Sequence, residues 1–177
     1  MFATIKAQHK GVDVCINNAG LSLHDSLLSG TTRGWRNMLD VNVLALSICT
    51  REAYQGGHSG HPFFSFCSVL GHLVGPVNDV HFYAATKFAV TALTEGLRQE
   101  LREAKSHIRA TSISPGVVDT EFGYRMYSDD PSKAEALYSR HKNLSGLDVA
   151  QAVLYVLGAP PHVQIGEILL RPVEQQL

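Results

Sequence analysis

Four short runs of apolar residues, each bounded by polar or glycine-rich segments, are spread along the chain. Continuous apolar runs of this length favour strands that are buried on both faces, as in a parallel sheet covered by helices. The second run is also rich in aromatic residues, which favour strands. The predicted strands cover residues 12–16, 63–68, 108–113 and 165–170.

Apolar residues between these runs recur at helical spacing, which places one apolar stripe on each helix. Thr31 and Thr32 can cap the first long helix, which is expected to end near Gln55, before a glycine-rich segment. Further helices are predicted over residues 82–104 and 148–157, and residues 1–10 are typical of the last turns of a helix. Residues 121–145 are polar and mixed, and suggest a mobile helical flap.

Strands that alternate with helices predict βαβ units, a parallel sheet and right-handed crossovers. The expected fold class is therefore α/β, with a Rossmann-like doubly wound parallel sheet, and residues 1–177 are expected to form a single domain. Ligands of such sheets bind beyond the carboxyl ends of the strands. The candidate site segments are the polar tips that follow the predicted strands: residues 17–20, Ser68 onward, and Pro115 with Gly116.

Composition excludes several classes of protein. Hydrophobic residues make up 45% of the 177, and a net charge of -1 offers no basic field for nucleic acid or for an anionic membrane. No apolar run approaches the roughly 20 residues that span a bilayer, and the N-terminus lacks the apolar core of a secretory signal. Cys15, Cys49 and Cys67 are an odd number of thiols in apolar stretches, which is typical of reduced cysteines. The expected location is the cytoplasm.

Tyr83 and Lys87 form the most informative pair of polar residues. They lie four residues apart at the start of a predicted helix, so their side chains share one face. A tyrosine has an ordinary pKa of about 10, and a nearby ammonium favours the phenolate, which predicts a lowered pKa for Tyr83. Such a phenol could exchange a proton with a carbonyl or an alcohol oxygen.

Other residues offer competing interpretations. Tyr138 and Lys142 have the same spacing, but they lie in the polar flap without a strand-end partner, so Tyr138 is interpreted as a surface or flap residue. Ser68, fifteen residues before Tyr83, could hydrogen-bond a substrate oxygen, or could simply bond its own loop. Ser65 lies in the middle of a predicted strand and is expected to be structural. Asn42 lies mid-helix, where asparagine is unfavourable and often faces solvent.

In their order along the chain, these residues resemble the short-chain dehydrogenase/reductase family, whose members use an Asn-Ser-Tyr-Lys tetrad. The matching segments are Asn17-Asn18-Ala19-Gly20, Asn42, Ser68, Tyr83-Ala84-Ala85-Thr86-Lys87 and Pro115-Gly116-Val117-Val118-Asp119-Thr120. The resemblance covers nearly the whole chain. Within the family it is strongest to NADP-dependent reductases of 3- and 17-ketosteroids.

The resemblance implies a catalytic role for four residues. Tyr83 would be the general acid or base, and Lys87 would lower its pKa and hold the nicotinamide ribose. Ser68 would polarise the substrate carbonyl, so Ser68 and Tyr83 would both contact substrate. Asn42 would anchor a water in a proton relay from Lys87 to solvent.

The resemblance also implies a cofactor site, with NADP expected and NAD not excluded. Asn18 would brace the sheet rather than line the cofactor, and residues 121–145 would form the substrate flap. The cofactor would lie along residues of the first tip and of the segment after the third predicted strand, together with the Tyr-Lys pair: Asn17, Ala19, Gly20, Tyr83, Lys87, Pro115, Gly116, Val118 and Thr120.

The sequence departs from the family pattern at its start. Family members begin with a strand and the turn Thr-Gly-x-x-x-Gly-x-Gly, which brings backbone against the pyrophosphate, and this sequence has no counterpart. The resemblance thus implies an incomplete sheet that lacks its first βαβα part of about 80 residues. We expect the strand at 12–16 to have an exposed edge, and cofactor to bind this chain weakly.

A second departure is the segment 56–62, which replaces the end of the long helix and the start of the next strand. His58 and His61 lie in it, but no further ligands join them at a zinc spacing. A solvated loop is the favoured interpretation, and no metal site is predicted.

Two functions from different classes follow. The first is an oxidoreductase that moves a hydride between NADP(H) and a ketone or secondary alcohol such as a steroid, acting as a homo-oligomer. The alternative is a truncated, non-catalytic isoform or fragment that at most oligomerises. A serine hydrolase that uses Ser68 is disfavoured, because no Gly-x-Ser-x-Gly elbow surrounds this residue.

Overall fold

The computed structural model describes residues 1–56 and 62–176, which fold as alternating helices and strands. The helices are α1 (Phe2–His9), α2 (Thr32–Leu39), α3 (Leu46–Gly56), α4 (His81–Glu103), α5 (Glu121–Met126), α6 (Pro131–Tyr138) and α7 (Gly146–Leu157). The strands are β1 (Cys15–Asn17), β2 (Phe63–Phe66), β3 (Ala110–Pro115) and β4 (Glu167–Leu170).

The strands described here form one parallel sheet in the order β1-β2-β3-β4. The register places Phe64 of β2 opposite Ile16 of β1 and Thr111 of β3. The α/β, Rossmann-like fold class is therefore confirmed. Within the described residues β1 pairs with β2 alone, so β1 lies at one edge, where Ile16 is 47% exposed.

Helices cover both faces of the sheet. Successive strand side chains point to opposite faces, so each face offers apolar side chains for a helix to pack against. Phe63 faces one side, where it packs in a cluster with Ala53 of α3 and Leu101 of α4. Phe64 faces the other side, where it packs against Val153 and its neighbours on α7. The resulting three layers leave the carboxyl ends of all four strands at one edge.

The long helix expected over residues 32–55 is present, and Thr31 caps it by accepting a hydrogen bond from Gly34 N at 3.0 Å. A π-helical turn, Asp40–Ala45, interrupts it between α2 and α3. The last long helix starts two residues before the predicted one, because Ser145 and Asp148 form a capping box.

Predicted strand boundaries were less accurate. Strand β1 begins at Cys15 rather than at residue 12, and β3 runs two residues beyond the predicted Ile113. Strand β2 ends at Phe66, so Ser68 lies past the strand and not at its end. The flap segment folds as α5 and α6, which are separated by residues 127–130.

The remaining expectations concern the loop histidines, a membrane span, a metal site and the cysteines. His58 and His61 lie outside the described residues. Across residues 1–56 and 62–176, no helix is long and apolar enough to cross a bilayer. The same part of the chain contains no cluster of three metal-ligating side chains. The three cysteines are free thiols, and Cys67 is buried.

Candidate active site

A large cavity, about 1290 Å³, opens at the carboxyl edge of the sheet. Its walls come from the tips after β1, β2 and β3, from the start of α4, from α5 and α6, and from one face of α7. Ser68, Tyr83 and Lys87 all line it. The position agrees with the general rule that ligands of open parallel sheets bind beyond the strand ends.

Tyr83 and Lys87 project from the first two turns of α4, one helical turn apart, as their spacing predicts. Both are almost completely buried, with 7% and 4% of their surface exposed. The Lys87 amine donates a hydrogen bond to the carbonyl oxygen of Phe66 at 2.9 Å and lies 5.5 Å from the centre of the Tyr83 ring. The last residue of β2 thus fixes the ammonium beneath the tyrosine.

Ser68 is held by the turn that follows β2. Its hydroxyl accepts a hydrogen bond from Leu70 N at 3.2 Å, which caps the 3-10 turn Val69–Gly71. At the far end of that turn, His72 Nε2 lies 3.1 Å from Ser114 Oγ, which ties the turn to β3. The Ser68 hydroxyl also lies near enough to the Tyr83 phenol to act on it, and it lowers the pKa of that phenol. The two groups expected to hold one substrate oxygen therefore lie side by side.

The expected direction of the Tyr83 pKa shift was wrong for this structure. Burial raises the pKa of Tyr83 well above its ordinary value, the nearby Cys67 thiol raises it further, and only the hydrogen bond from Ser68 lowers it. The Lys87 ammonium is directed at the Phe66 carbonyl rather than at the phenol oxygen. Burial lowers the pKa of Lys87, while Cys67 opposes that shift. Desolvation therefore outweighs charge pairing in this pocket.

Asn42 occupies the π-helical turn and is 1% exposed, which excludes the solvent-facing alternative. Its side-chain oxygen accepts a hydrogen bond from Leu21 N at 2.9 Å, and its amide donates to Leu21 O at 2.8 Å. The same amide donates to Thr86 Oγ1 at 3.0 Å, and Thr86 donates in turn to the Tyr83 carbonyl at 2.7 Å. Asn42 therefore links the tip after β1 to the helix that carries the tyrosine.

The tip after β1 divides its two asparagines differently from the prediction. Asn17 donates a hydrogen bond to Thr50 Oγ1 of α3 at 2.9 Å and so braces the sheet, the role expected for Asn18. Asn18 instead lines the cavity, together with Gly20. The cause is strand alternation, which turns Asn17 toward α3 and the next side chain away from it. Ala19 is exposed beside them.

The segment after β3 lines the cavity as the sequence suggested, through Pro115, Gly116, Val118 and Thr120. Gly116 N donates to Leu170 O at 2.7 Å, which fixes the segment against the end of β4. Thr120 caps α5 by accepting a hydrogen bond from Phe122 N at 3.3 Å. The same loop therefore forms one cavity wall and starts the flap.

The flap covers the cavity through α5 and α6. Phe122 contacts the Tyr83 ring edge-on, with 5.7 Å between ring centres. The Tyr138 hydroxyl accepts a hydrogen bond from Gly123 N at 2.8 Å, so Tyr138 is a flap residue that joins the two helices. The second tyrosine–lysine spacing in the sequence therefore belongs to the frame of the flap.

Sequence reasoning missed several residues at this site. Thr86 lies inside the quoted Tyr-Ala-Ala-Thr-Lys segment, and that position was its only signal. Ser22 is 3% exposed, lines the cavity, and has a hydroxyl without a hydrogen-bond partner among the described residues. His24 contacts the flap across about 100 residues of sequence, and no local pattern announces such a contact.

The residues present fit the nicotinamide-ribose end of a dinucleotide. Within the described part of the chain, the buried Lys87 amine donates to one acceptor, the Phe66 carbonyl, although an ammonium has three donors. A Cβ at Gly20 would lie 3.5 Å from both the Lys87 amine and the Asn42 side-chain oxygen. The Lys87 amine therefore has two N–H donors left for the ribose hydroxyls, and they lie beside Gly20, where no side chain blocks the approach.

Known proteins are similar to this chain over nearly its whole length. The family described as short chain dehydrogenase matches residues 1–131. Dehydrogenase/reductase SDR family member 11 of Bos taurus is 60% identical over 99% of this chain and 70% of its own length. Farnesol dehydrogenase of Aedes aegypti is 40% identical over 99% of this chain and 70% of its own length. The chain thus spans about 70% of the length of these relatives.

The fold of this chain is also similar to that of a solved structure. The closed form of serine dehydrogenase complexed with NADP+ superposes with a TM-score of 0.89 and 29% identity. The match covers 99% of this chain and 73% of that one. The arrangement of helices and strands from α1 to β4 is therefore common to both proteins.

Proposed function

This chain belongs to the short chain dehydrogenase family, and we propose that it is an NADP-dependent reductase of 3- and 17-ketosteroids. It is an oxidoreductase that acts on CH–OH groups, as its dehydrogenase and reductase relatives indicate. The finer proposal concerns the substrate, the cofactor and the role of each residue. The observation that carries it is the shared position of Ser68, Tyr83 and the buried Lys87 at the wall of a large cavity.

Ser68 and Tyr83 would together bind the reacting oxygen. Each hydroxyl can donate one hydrogen bond, so a ketone oxygen between them would be polarised from two sides, as in an oxyanion hole. A bound NADPH supplies the hydride to the carbonyl carbon. Tyr83 would give its proton to the oxygen as negative charge develops there.

The raised pKa of Tyr83 suits the proton-donating role that ketone reduction requires. Burial keeps the phenol protonated at neutral pH, which is the state that a proton donor to a ketone requires. An alcohol oxidation would need the phenolate, which this pocket disfavours. Tyr83 is therefore assigned as a general acid in ketone reduction.

Lys87 and Asn42 would support that proton transfer by resupplying the proton to Tyr83. The free donors of the Lys87 amine would hold the ribose hydroxyls, and the same amine would return a proton to Tyr83. Asn42 would anchor the water that connects this relay to solvent. Asn18, Gly20, Gly116, Val118 and Thr120 would lie along the cofactor, since all five share the cavity wall with Lys87.

The substrate proposal rests on cavity size and on similarity. A volume of about 1290 Å³ exceeds the usual range for a small-molecule site, roughly 300–1,000 Å³, and leaves room for a cofactor end and a multi-ring ketone. Apolar side chains from α5, α7 and the segment after β3 form much of the wall, including Met126, Val149 and Val153. One relative of this chain is named for farnesol, and an apolar wall of this kind suits a large apolar substrate.

We also propose that the protein acts in the cytoplasm as a homo-oligomer. Large apolar side chains on the outer faces of the π-helical turn, α3 and α4 remain exposed, among them Leu44 at 53%, Ile48 at 40% and Phe88 at 42%. Burial of such a surface by a second copy would remove these side chains from water. Light scattering of the purified protein measures its mass directly.

The test is NADPH oxidation, followed by absorbance, with a panel of 3-keto and 17-keto steroids. At NADPH concentrations high enough to offset the weak cofactor binding expected of this chain, the wild-type protein is expected to turn over at least one of them. Tyr83→Phe is expected to lose about a thousandfold in rate. Tyr138→Phe is the matched control, because it removes the same hydroxyl from the flap tyrosine. Equal turnover by Tyr83→Phe and wild type would disprove the assignment of the proton donor.

A further inference from the structure

One side chain joins the two segments that the proposed reaction must bring together. His24 lies in the connection between β1 and α2, three residues after Leu21. Its Nδ1 donates a hydrogen bond to the Met126 carbonyl oxygen at 2.9 Å, at the end of α5. Its Nε2 lies 3.2 Å from Asp129 Oδ2, and its ring stacks on Tyr127 with 5.9 Å between centres.

The connection that carries His24 is itself anchored at the catalytic centre. Leu21 is held through both its backbone N and its backbone O by Asn42. On the other side of the contact, Met126 and Tyr127 both line the cavity. His24 thus closes a path of direct contacts that runs from Asn42, through the tip after β1, to the flap.

The two ring nitrogens of His24 face two hydrogen-bond acceptors, the Met126 carbonyl oxygen and the Asp129 carboxylate. The number of N–H donors on the ring therefore decides how many of these partners it can bond. A neutral imidazole donates from one nitrogen only, whereas the imidazolium donates from both. The neutral ring can therefore bond the Met126 carbonyl but presents a lone pair to the Asp129 carboxylate. The protonated ring satisfies both partners.

The other charges of this region belong to α6, to the segment after it, and to the turn before α4. Lys133 lies 5.7 Å from the centre of the Tyr127 ring. Asp79 and Arg140 act on the Tyr127 phenol in opposite directions, and burial raises the pKa of that phenol. The neighbouring Asp25 accepts a hydrogen bond from Thr31 N. Asp129 is therefore the carboxylate that His24 contacts directly.

We propose that His24 is a positioning residue that latches the substrate flap onto the cofactor-lining tip, and that its protonated form holds the flap most firmly. The inference rests on the proposed function, since it assumes that the flap closes over a ketone. Closure is expected to be weaker with a neutral His24 ring than with the imidazolium, with a higher KM for a bulky ketone and an unchanged chemical step.

The decisive experiment measures amide hydrogen exchange of residues 121–138 in the full chain at pH 6 and pH 8, after correction for intrinsic exchange rates. Wild-type protein is expected to lose about fivefold of its flap protection at the higher pH. His24→Phe keeps an aromatic ring but loses both polar contacts, and Asp129→Asn removes only the carboxylate. Both variants are expected to show a flap of equal, lower protection at the two pH values. His162→Gln, at an exposed histidine far along the chain, is the control and should behave as wild type.

Kinetics provide the second measurement. His24→Phe is expected to raise KM for a steroid ketone about fivefold to tenfold and to change kcat less than twofold. A flap whose protection does not depend on pH in wild type, or an Asp129→Asn variant that keeps the full dependence, would overturn the latch. A loss confined to kcat would overturn it as well. If no ketone is turned over, the proposed function fails, while the exchange data still decide on the latch.

Discussion

The catalytic corner and the flap, which face each other across one cavity, are held together in different ways. We define the catalytic corner as Asn42, Ser68, Tyr83, Thr86 and Lys87, all of which are at most 9% exposed and joined by short hydrogen bonds to one another or to backbone. The flap, residues 121–145, contacts the rest of the described chain through side chains such as Phe122, which meets the Tyr83 ring, and the partly exposed His24. In the proposed function, the chemistry would thus depend on a buried, hydrogen-bonded frame, and substrate selection would depend on a cover held by fewer contacts.

If that contrast is correct, damage to the corner lowers the rate for every substrate, whereas damage to the flap changes the preference among substrates. The largest effect is expected from Ser68→Ala, which removes one of the two donors to the reacting oxygen. We expect kcat to fall about 10²–10³-fold, with little change in KM or in stability. Ser65→Ala is the matched control, because Ser65 is buried in β2 without a place in the site, and it should keep kcat within a few-fold.

The second effect comes from the backbone that supports Ser68. A Cβ at Gly71 would lie 2.9 Å from the Lys87 carbonyl oxygen and from Thr91 Oγ1, within a turn that cannot move freely. Gly71→Ala is therefore expected to cost about 1–3 kcal/mol of unfolding free energy and to lower kcat for all ketones alike. Urea denaturation and steady-state kinetics measure the two effects. Selective loss of one substrate would contradict a uniform role for this turn.

The corresponding glycine of the flap should respond differently. A Cβ at Gly123 would lie 2.8 Å from the Tyr138 hydroxyl and 2.9 Å from its ring, so Gly123→Ala must push α6 away from α5. We expect a stability loss of about 1 kcal/mol and changes in KM that differ between bulky and small ketones by up to about tenfold. A panel of ketones of graded size measures the difference. Equal loss of kcat for all of them would place the flap in the same rigid unit as the corner.

The smallest effect is spectroscopic and tests desolvation itself. Because burial raises the pKa of Tyr83, its phenol should stay protonated at pH 10.5, where exposed tyrosines ionise. The folded state then binds one more proton than the unfolded state above about pH 10, so its stability falls as pH rises there. Absorbance titrations of wild type and Tyr83→Phe should coincide up to pH 10.5. One additional phenolate in wild type at that pH would refute the raised pKa.

The sequence predicted that Tyr83 and Lys87 share one helix face because that signal is local. Tyr83 and Lys87 lie one helical turn apart, and Thr31 announces the start of α2 through its cap. The π-helical turn at Asn42 could not be predicted, since it accompanies a contact with Leu21 that lies 21 residues away. The direction of the Tyr83 pKa shift was missed for a similar reason: desolvation depends on what packs around a side chain, whereas spacing shows only which charge is near.

The ends of the strands and the contacts of the flap were harder to predict, because they depend on packing between segments that are distant in sequence. Strand β1 is shorter than its apolar run, because Val12 packs against the helical layer as part of the cluster beside the sheet and not as a strand residue. Asn17, and not Asn18, contacts α3, since adjacent strand residues face opposite sides of a sheet. The contact between His24 and Met126 joins segments 102 residues apart, and only the folded chain brings them together.

The central claim is that Ser68 and Tyr83 act on one oxygen as a single unit. A double-mutant cycle of Ser68→Ala and Tyr83→Phe, measured as the single-turnover rate of ketone reduction by bound NADPH, tests it most directly. Groups that act as a unit show strongly non-additive losses, so the double variant should be no more than a few-fold slower than Tyr83→Phe alone. If the two losses simply multiply, the residues act independently and the account of this site is wrong.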